Sequence, residues 1–167
     1  RCGGRIEADE KAQTTVPGLY ATGEETTYSI SGAAVFGWVG GENSVEYAKN
    51  AKPCDERIFE NQIEEKKKLI ENFIENKNGT DWFDANTALN HTLNDYAGPV
   101  RSESMLTAGL KHLGGLKEKL FSMVMAKDRW QLTRCLEVMN LYDLGELLFV
   151  AALERKESRG LHQRVDY

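Results

Sequence analysis

Cysteine and proline are scarce, with three of each in 167 residues. Cys2, Cys54 and Cys135 are odd in number and share no short spacing. That excludes a disulfide framework and a thiolate set for zinc or iron–sulfur, and it points to a reducing, cytoplasmic setting. No apolar run approaches the roughly 18 residues that a membrane-spanning helix needs, and no charged-then-apolar leader opens the sequence, so membrane insertion is not expected. Excess positive charge is lacking too. Lys+Arg number 21 against 26 Asp+Glu, a formal charge of -5, which leaves no sequence-wide field to attract nucleic acid or an anionic lipid surface. His91 and His112 sit in helical segments with no partner at metal-ligand spacing, so no metal site is expected. Trp38, Trp82 and Trp130 are too dispersed for a stacking platform.

What is present is a soluble, globular composition, 41% hydrophobic and 28% charged, in a length suited to one domain or one and a half. The chain opens on Arg1 rather than Met, and residues 1–7 (RCGGRIE) read like the middle of a strand and turn. The expectation is a piece of a longer protein.

Composition changes at Pro53, which sets expected domains of 1–53 and 54–167. Before it, Gly3, Gly4, Gly18, Gly23, Gly32, Gly37, Gly40 and Gly41 punctuate short apolar stretches, the pattern of strands and tight turns. After it, apolar spacing becomes helical. Phe59, Ile63, Ile70 and Ile74 mark one face of a helix over 55–76, and Asn78-Gly79 stops it. The run Glu64-Glu65-Lys66-Lys67-Lys68 fits a solvated face of that helix. A second helix runs over about 83–94 with Thr80 or Asp81 as its cap, closed by Gly98-Pro99. A third, capped by Ser102 or Ser104, carries Leu106, Leu110, Leu113, Leu120 and Val124, and Gly114-Gly115 predicts a break or a tight crossing in it. The last runs from Asp128 to about Lys156 with Leu132, Leu136, Met139, Leu147 and Val150 facing inward. The fold class is therefore mainly α: an antiparallel bundle of three to four helices preceded by a small strand-and-turn segment.

Residues 15–49 carry the chemical signal: TVPGLYATGEETTYSISGAAVFGWVGGENSVEYAK. Residues 16–21 read as a short strand entered through a Pro-Gly turn and ending at Gly23-Glu24. There a glycine admits close backbone approach and a carboxylate can accept hydrogen bonds from ligand hydroxyls. Gly40-Gly41 then reads as a glycine-rich loop opening a helix at Asn43, Ser44 and Val45. Its unpaired N–H groups and positive dipole end would favour an anion or an electron-rich carbonyl. Asn43 acting as a plain helix cap is the structural alternative.

These residues resemble a known pattern. VPGLYATGEE followed by GGENSVEYA is similar to the second flavin-binding motif of the succinate dehydrogenase and fumarate reductase flavoprotein family, PGLYAAGE followed by HGANRLGGNSL. LNDYAGPVRSESMLTAGLKHL (93–113) is similar to the family's helical-domain entry, and RKESRGLHQRVDY (155–167) to its RKESRGAHYREDYP. The resemblance spans nearly the whole chain in the family's own order. It implies that residues 1–53 are the distal part of an α/β FAD-binding domain and 54–167 the helical C-terminal domain of an FAD-dependent oxidoreductase. It further implies that Gly23 and Glu24 meet the ribityl or sugar part of FAD and that Asn43, Ser44 and Val45 approach the isoalloxazine. The simplest reading of the charged tail is an ion-pair network pinning the helical domain to the flavin domain, with its arginines facing a partner subunit as the alternative.

The implied partners are the N-terminal FAD-binding part of the same protein and an iron–sulfur subunit. The main nucleotide fingerprint and the substrate histidine would lie upstream of Arg1, so this chain alone is expected to be inactive and to hold no FAD. One departure bears on substrate. The family's HGANR is met here by Ser31-Gly32-Ala33-Ala34-Val35, in a loop read as longer, and lacks the arginine that would bind a dicarboxylate. Relatives such as L-aspartate oxidase or adenylylsulfate reductase therefore stay open. The alternative from another class is a helical protein-interaction module without redox activity.

Overall fold

The computed structural model describes residues 6–23, Thr26, 29–53 and 55–167. These fall into two compact units that divide between Glu56 and Arg57.

In the first unit, Asp9 builds a tight corner: its Oδ1 accepts from the N–H groups of Lys11 (2.9 Å) and Gln13 (2.8 Å). The buried Ala12 consequently adopts φ 63°, unusual for a residue with a Cβ. Residues 16–21, expected as a strand, are instead a turn that doubles the chain back. Leu19 N–H donates to Val16 O, Thr14 N–H to Leu19 O and Ala21 N–H to Ala12 O, and only isolated antiparallel bridges form. Proline cannot donate to a ladder, and Gly18 at φ 82° reverses the direction.

The larger correction concerns the glycines that follow. A single helix, α1 (Ile30–Asn50), runs through Gly32, Gly37, Gly40 and Gly41, so neither a loop over 31–39 nor a helix start at Asn43 exists. Each interior glycine costs about 1 kcal/mol relative to alanine. Gly40 offsets this by close approach, since a Cβ there would stand 2.7 Å from Thr22 Cγ2 and 3.2 Å from Ala12 Cβ.

The second unit is the expected bundle, with four α-helices among its described residues: α2 (Glu60–Glu75), entered through a 3-10 turn (Glu56–Phe59), α3 (Trp82–Ala97), α4 (Glu103–Met123) and α5 (Arg129–Glu154). Asp81 and Ser102 cap their helices as expected, and Asp128, expected to open α5, stands one residue ahead of it as its cap. Asp81 accepts from Phe83 N–H, Ser102 from Met105 N–H and Asp128 from Gln131 N–H, each satisfying an orphan donor of the first turn. Short connections reverse the chain between α3 and α4 and again between α4 and α5, so α3 and α5 end on the same side. The core joins Phe73 of α2, Leu89 of α3, Leu106, Leu113 and Leu120 of α4, and Val138, Tyr142 and Phe149 of α5. Cys135 also lies in it, with burial, helped by the charge of Asp81, pushing its thiol up to about 11; Cys2 and Cys54 lie outside the described residues.

Several faces differ from expectation. On α2 the buried residue is Phe73, while Phe59, Ile63 and Ile74 of the expected stripe are exposed. On α5 the apolar residues surround the helix, so spacing could not select a face. Cys135, Val138, Met139, Tyr142, Phe149 and Ala152 turn inward, and Leu147 and Val150 face out. Gly114-Gly115 neither breaks α4 nor touches a neighbour; the tight crossings use Gly109 and Gly145. Trp82 and Trp130, far apart in sequence, meet edge to face at 5.5 Å.

A Cβ at Gly109 would come within 2.5 Å of Phe149 Cε1 and strike Tyr96. Gly109→Ala should therefore destabilise the chain by about 1–3 kcal/mol through overpacking. Gly114→Ala, in open space, should stabilise it by about 0.5–1 kcal/mol. Urea unfolding of the two variants measures both signs.

Candidate functional site

Two constellations carry polar chemistry, one in each unit. In the first unit Gly23 has φ 81°, and a Cβ there would meet nothing within 4 Å, so backbone conformation rather than crowding selects glycine at this position. Its carbonyl accepts from Thr26 N–H (3.2 Å) and Thr26 Oγ1 (3.3 Å). Glu24, the other residue expected here, lies outside the described residues. A cleft of about 300 Å³ opens beside this turn, lined by Ala8, Asp9, Glu10, Ala12, Ala21, Thr26 and Phe36, at the lower bound of ligand-pocket size.

α1 begins six residues after Glu24, at Ile30. Ser29 is its cap, accepting from Gly32 N–H at 2.9 Å. The first turn carries no acidic side chain, so the positive end of the helix is not neutralised locally. Asn43, Ser44 and Val45 lie in the second half of the same helix. Asn43 Nδ2 donates to Val39 O and Ser44 Oγ to Gly41 O, both ordinary back-bonds within a helix. At about 1.5 Å per residue they stand roughly 20 Å along the axis from the helix start. The structure thus brings Gly23 near the beginning of α1 in the chain and does not bring Asn43, Ser44 or Val45 to a helix N-terminus.

The tail builds the second constellation. Residues Val100–Arg101 (β1) and Gln163–Arg164 (β2) pair in parallel, with Val100 opposite Gln163 and Arg101 opposite Arg164. Strand alternation turns Val100 and Gln163 outward and both arginines inward, where each is about 3% exposed. Each reaches the carboxyl end of a helix. Arg101 donates through Nε to Gly98 O (2.6 Å) and through Nη2 to Ala97 O (3.2 Å) at the end of α3. Arg164 donates through Nη1 to Ala152 O (2.9 Å) near the end of α5. Those carbonyls lack intrahelical partners and carry the negative end of the dipole.

His162 and Asp166 complete the cluster. Arg101 Nη1 can only donate, so His162 Nδ1 accepts at 2.8 Å and its Nε2–H donates to Arg155 O at 2.9 Å, which assigns the tautomer from the network. Asp166 receives a two-pronged contact from Arg164, Nε to Oδ1 at 2.7 Å and Nη2 to Oδ2 at 2.8 Å. It also accepts from Glu103 N–H at 2.7 Å, at the start of α4. Hydrogen bonding from Arg164, supported by that N–H, holds the Asp166 carboxyl well below the usual carboxylate range. Ser158 Oγ bridges the N–H and carbonyl of Arg164. Arg155 and Arg159 pair with the exposed Glu157, whose carboxyl is lowered chiefly by the bond from Arg155. Among the described residues, the hydrogen bonds of Arg164 and Asp166 in the tail run to this unit's own helix ends. Sequence reasoning missed Arg101, whose signal was present as an arginine beside a helix stop at Gly98-Pro99.

Among the described residues no group of His, Cys, Asp or Glu could hold a metal ion. None of the described helices is long and apolar enough to cross a membrane.

This architecture is that of a flavoprotein's carboxyl-terminal region. Residues 86–167, from α3 through the tail, match the family model described as fumarate reductase flavoprotein C-term. Over nearly its whole length the chain is similar to the C-terminal part of flavoprotein subunits of the succinate dehydrogenase and fumarate reductase family. It is 27% identical over 179 residues to the fumarate reductase flavoprotein subunit of Proteus vulgaris, covering 98% of this chain and 30% of that protein. It is 30% identical to the L-aspartate oxidase of Yersinia pestis, covering 99% and 31%. Among solved structures, a chain of E. coli quinol fumarate reductase superposes with a TM-score of 0.73 at 25% identity, covering 97% of this chain and 30% of that one. Adenylylsulfate reductase from Archaeoglobus fulgidus shares the fold, with a TM-score of 0.77 at 23% identity over 99% and 31%. The chain thus spans about 30% of the length of the curated fumarate reductase relatives.

Because the folded-state value of Asp166 is depressed, its stabilisation is fully present above the ordinary aspartate pKa of about 3.9 and is lost as pH falls below it. Asp166→Asn should start from a lower Tm at neutral pH and lose less of it between about pH 5 and pH 2 than the native chain does. Arg164→Met should lower Tm by about 5 °C or more, since it leaves helix-end carbonyls and a carboxylate without their donor. Calorimetric scans across pH check both.

Proposed function

We propose that this chain is the C-terminal part of an FAD-dependent oxidoreductase whose N-terminal part supplies most of the nucleotide-binding fold. The observation that carries the reading is the match of both units, in order, to fumarate reductase flavoproteins across 98% of the chain. A lone helical interaction module would have no reason to retain the PGLYATGE segment ahead of the bundle. In this proposal residues 1–53 complete the flavin domain and 54–167 form the helical domain.

The residues fit the cofactor at two points. Gly23, held at positive φ, leaves backbone open to approach, and Glu24 beside it would accept from ribityl or sugar hydroxyls. The un-neutralised start of α1 at Ser29 to Gly32 suits an electron-rich edge of a flavin ring. The role expected at Asn43, Ser44 and Val45 rested on a helix start, and that start is at Ile30. We therefore assign the isoalloxazine contact to Ser29, Ser31 and Gly32. Bound FAD would supply hydride acceptance at N5. The chain's own part is to orient the ring and stabilise charge on it through N–H groups at the helix start.

α1 supports membership in a larger assembly. Ile30 is 93% exposed and Trp38 71%, more apolar surface than an isolated helix keeps in water without a partner. The N-terminal part of the same protein is the proposed cover, with an iron–sulfur subunit carrying electrons onward and a cytoplasmic, membrane-peripheral setting through that partner. No arginine occurs in Ser29 to Trp38 to meet a dicarboxylate, so the proposed substrate is an organic acid oriented by groups elsewhere in the parent.

The purified chain should be colourless and inactive, whereas the full-length parent should show a flavin absorbance band. In the parent, Ser29→Ala should lower flavin occupancy and Asn43→Ala should leave it unchanged. A colourless parent, or the reverse order of the two variants, overturns the assignment.

A further inference from the structure

We propose that the groove between α3 and α4 is a docking site for an acidic segment of another protein chain. Its floor is Ala108, Gly115 and Leu116, its wall is Tyr96, and its rim is Lys111, His112 and Lys119, enclosing about 450 Å³. None of these residues is acidic, in a chain whose formal charge is -5. Both lysines are exposed and, among the described residues, neither has a carboxylate at ion-pair distance. His112 is set against the Tyr96 ring, centroids 5.9 Å apart and 32° from parallel, which fixes its imidazole at the rim.

A second observation comes from the floor. A Cβ at Gly115 would meet nothing within 4 Å, and the backbone is ordinary helix. Glycine there costs about 1 kcal/mol of helix propensity with no contact inside this chain to offset it. What it provides is depth between the two lysines. Lys111 and Lys119 are two turns apart, about 12 Å along the axis, a span that two carboxylates two turns apart on a partner helix match. A small apolar side chain between those carboxylates would rest on Ala108 and Gly115. Charge supplies register and encounter rate, and the apolar floor supplies burial. This surface lies wholly within the helical unit and stands independently of the flavin assignment.

The test is titration of the full chain with a glutamate-rich amphipathic peptide, followed by amide chemical shifts. The same peptide with lysine in place of glutamate is the control. Shifts should concentrate at Tyr96 and residues 108–119, and affinity should fall several-fold between about 0.05 and 0.3 M salt. The double variant Lys111→Glu/Lys119→Glu should weaken binding by about tenfold or more, as should Gly115→Leu, which fills the floor without altering charge. Both replacements are on the exposed side of α4, and Lys66→Glu/Lys68→Glu on α2 should leave binding unchanged. Equal binding of the lysine peptide, indifference to either groove variant, or full competition by inorganic triphosphate would each overturn the proposal, the last by reducing the groove to a simple anion site.

Discussion

The helical unit depends on how two helix ends are satisfied. Antiparallel connection places the carboxyl ends of α3 and α5 on one side of the bundle, each presenting carbonyls with no N–H in their own helix. Water would satisfy them at an exposed end. Here a two-residue parallel ladder, β1 with β2, lies over that side and turns one arginine toward each end. A guanidinium has five donors in a rigid fork, enough for Arg101 to reach two carbonyls and His162, and for Arg164 to hold Asp166 while reaching Ala152 O. Asp166 carries the arrangement to the amino end of α4, where a carboxylate is favoured by the opposite end of the dipole. Three helix ends are thus joined through four side chains, all lying within residues 101–166.

The smaller unit follows another logic. It contains little regular pairing, and its order comes from an Asx corner at Asp9, a glycine turn and the fit of Gly40 against Ala12 and Thr22. Together these present the Gly23 turn and then the start of a long helix. In both units a helix terminus is the chemically active feature, closed by arginines in the bundle and, at α1, capped by Ser29 with no acidic side chain in the first turn. That contrast underlies the different roles proposed for them, one structural and one facing a cofactor.

Much of the fold was legible in the sequence. Asp81, Ser102 and Asp128 each precede an apolar run and each caps a helix, because a short oxygen-bearing side chain at that place has one favourable use. The family relation was legible from PGLYATGEE and RKESRGLHQRVDY, whose polar order periodicity does not generate. The helix start at the candidate site was not. Gly40-Gly41 before Asn43-Ser44 has the local chemistry of a loop and cap, and the propensity of Gly37 to Ser44 argues against helix. What overrides it is the burial of Gly40 against Ala12 and Thr22, 28 and 18 residues earlier in the chain, a tertiary contact that no local pattern contains. The inward face of α5 was illegible for a related reason. With Leu144, Leu147, Leu148 and Val150 beside Tyr142 and Phe149, neighbours rather than spacing choose the face.

The β1–β2 ladder also orders events in time. Arg101 is made before α4 and Arg164 after α5, so a nascent chain leaving the ribosome presents the end of α3 long before its imidazole partner exists. Helices can form as they emerge, but the helix ends that Arg164 and Asp166 reach are closed only once the tail has been made. Until then the carboxyl end of α5 lacks its contact from Arg164, and Arg101 lacks the imidazole it will meet.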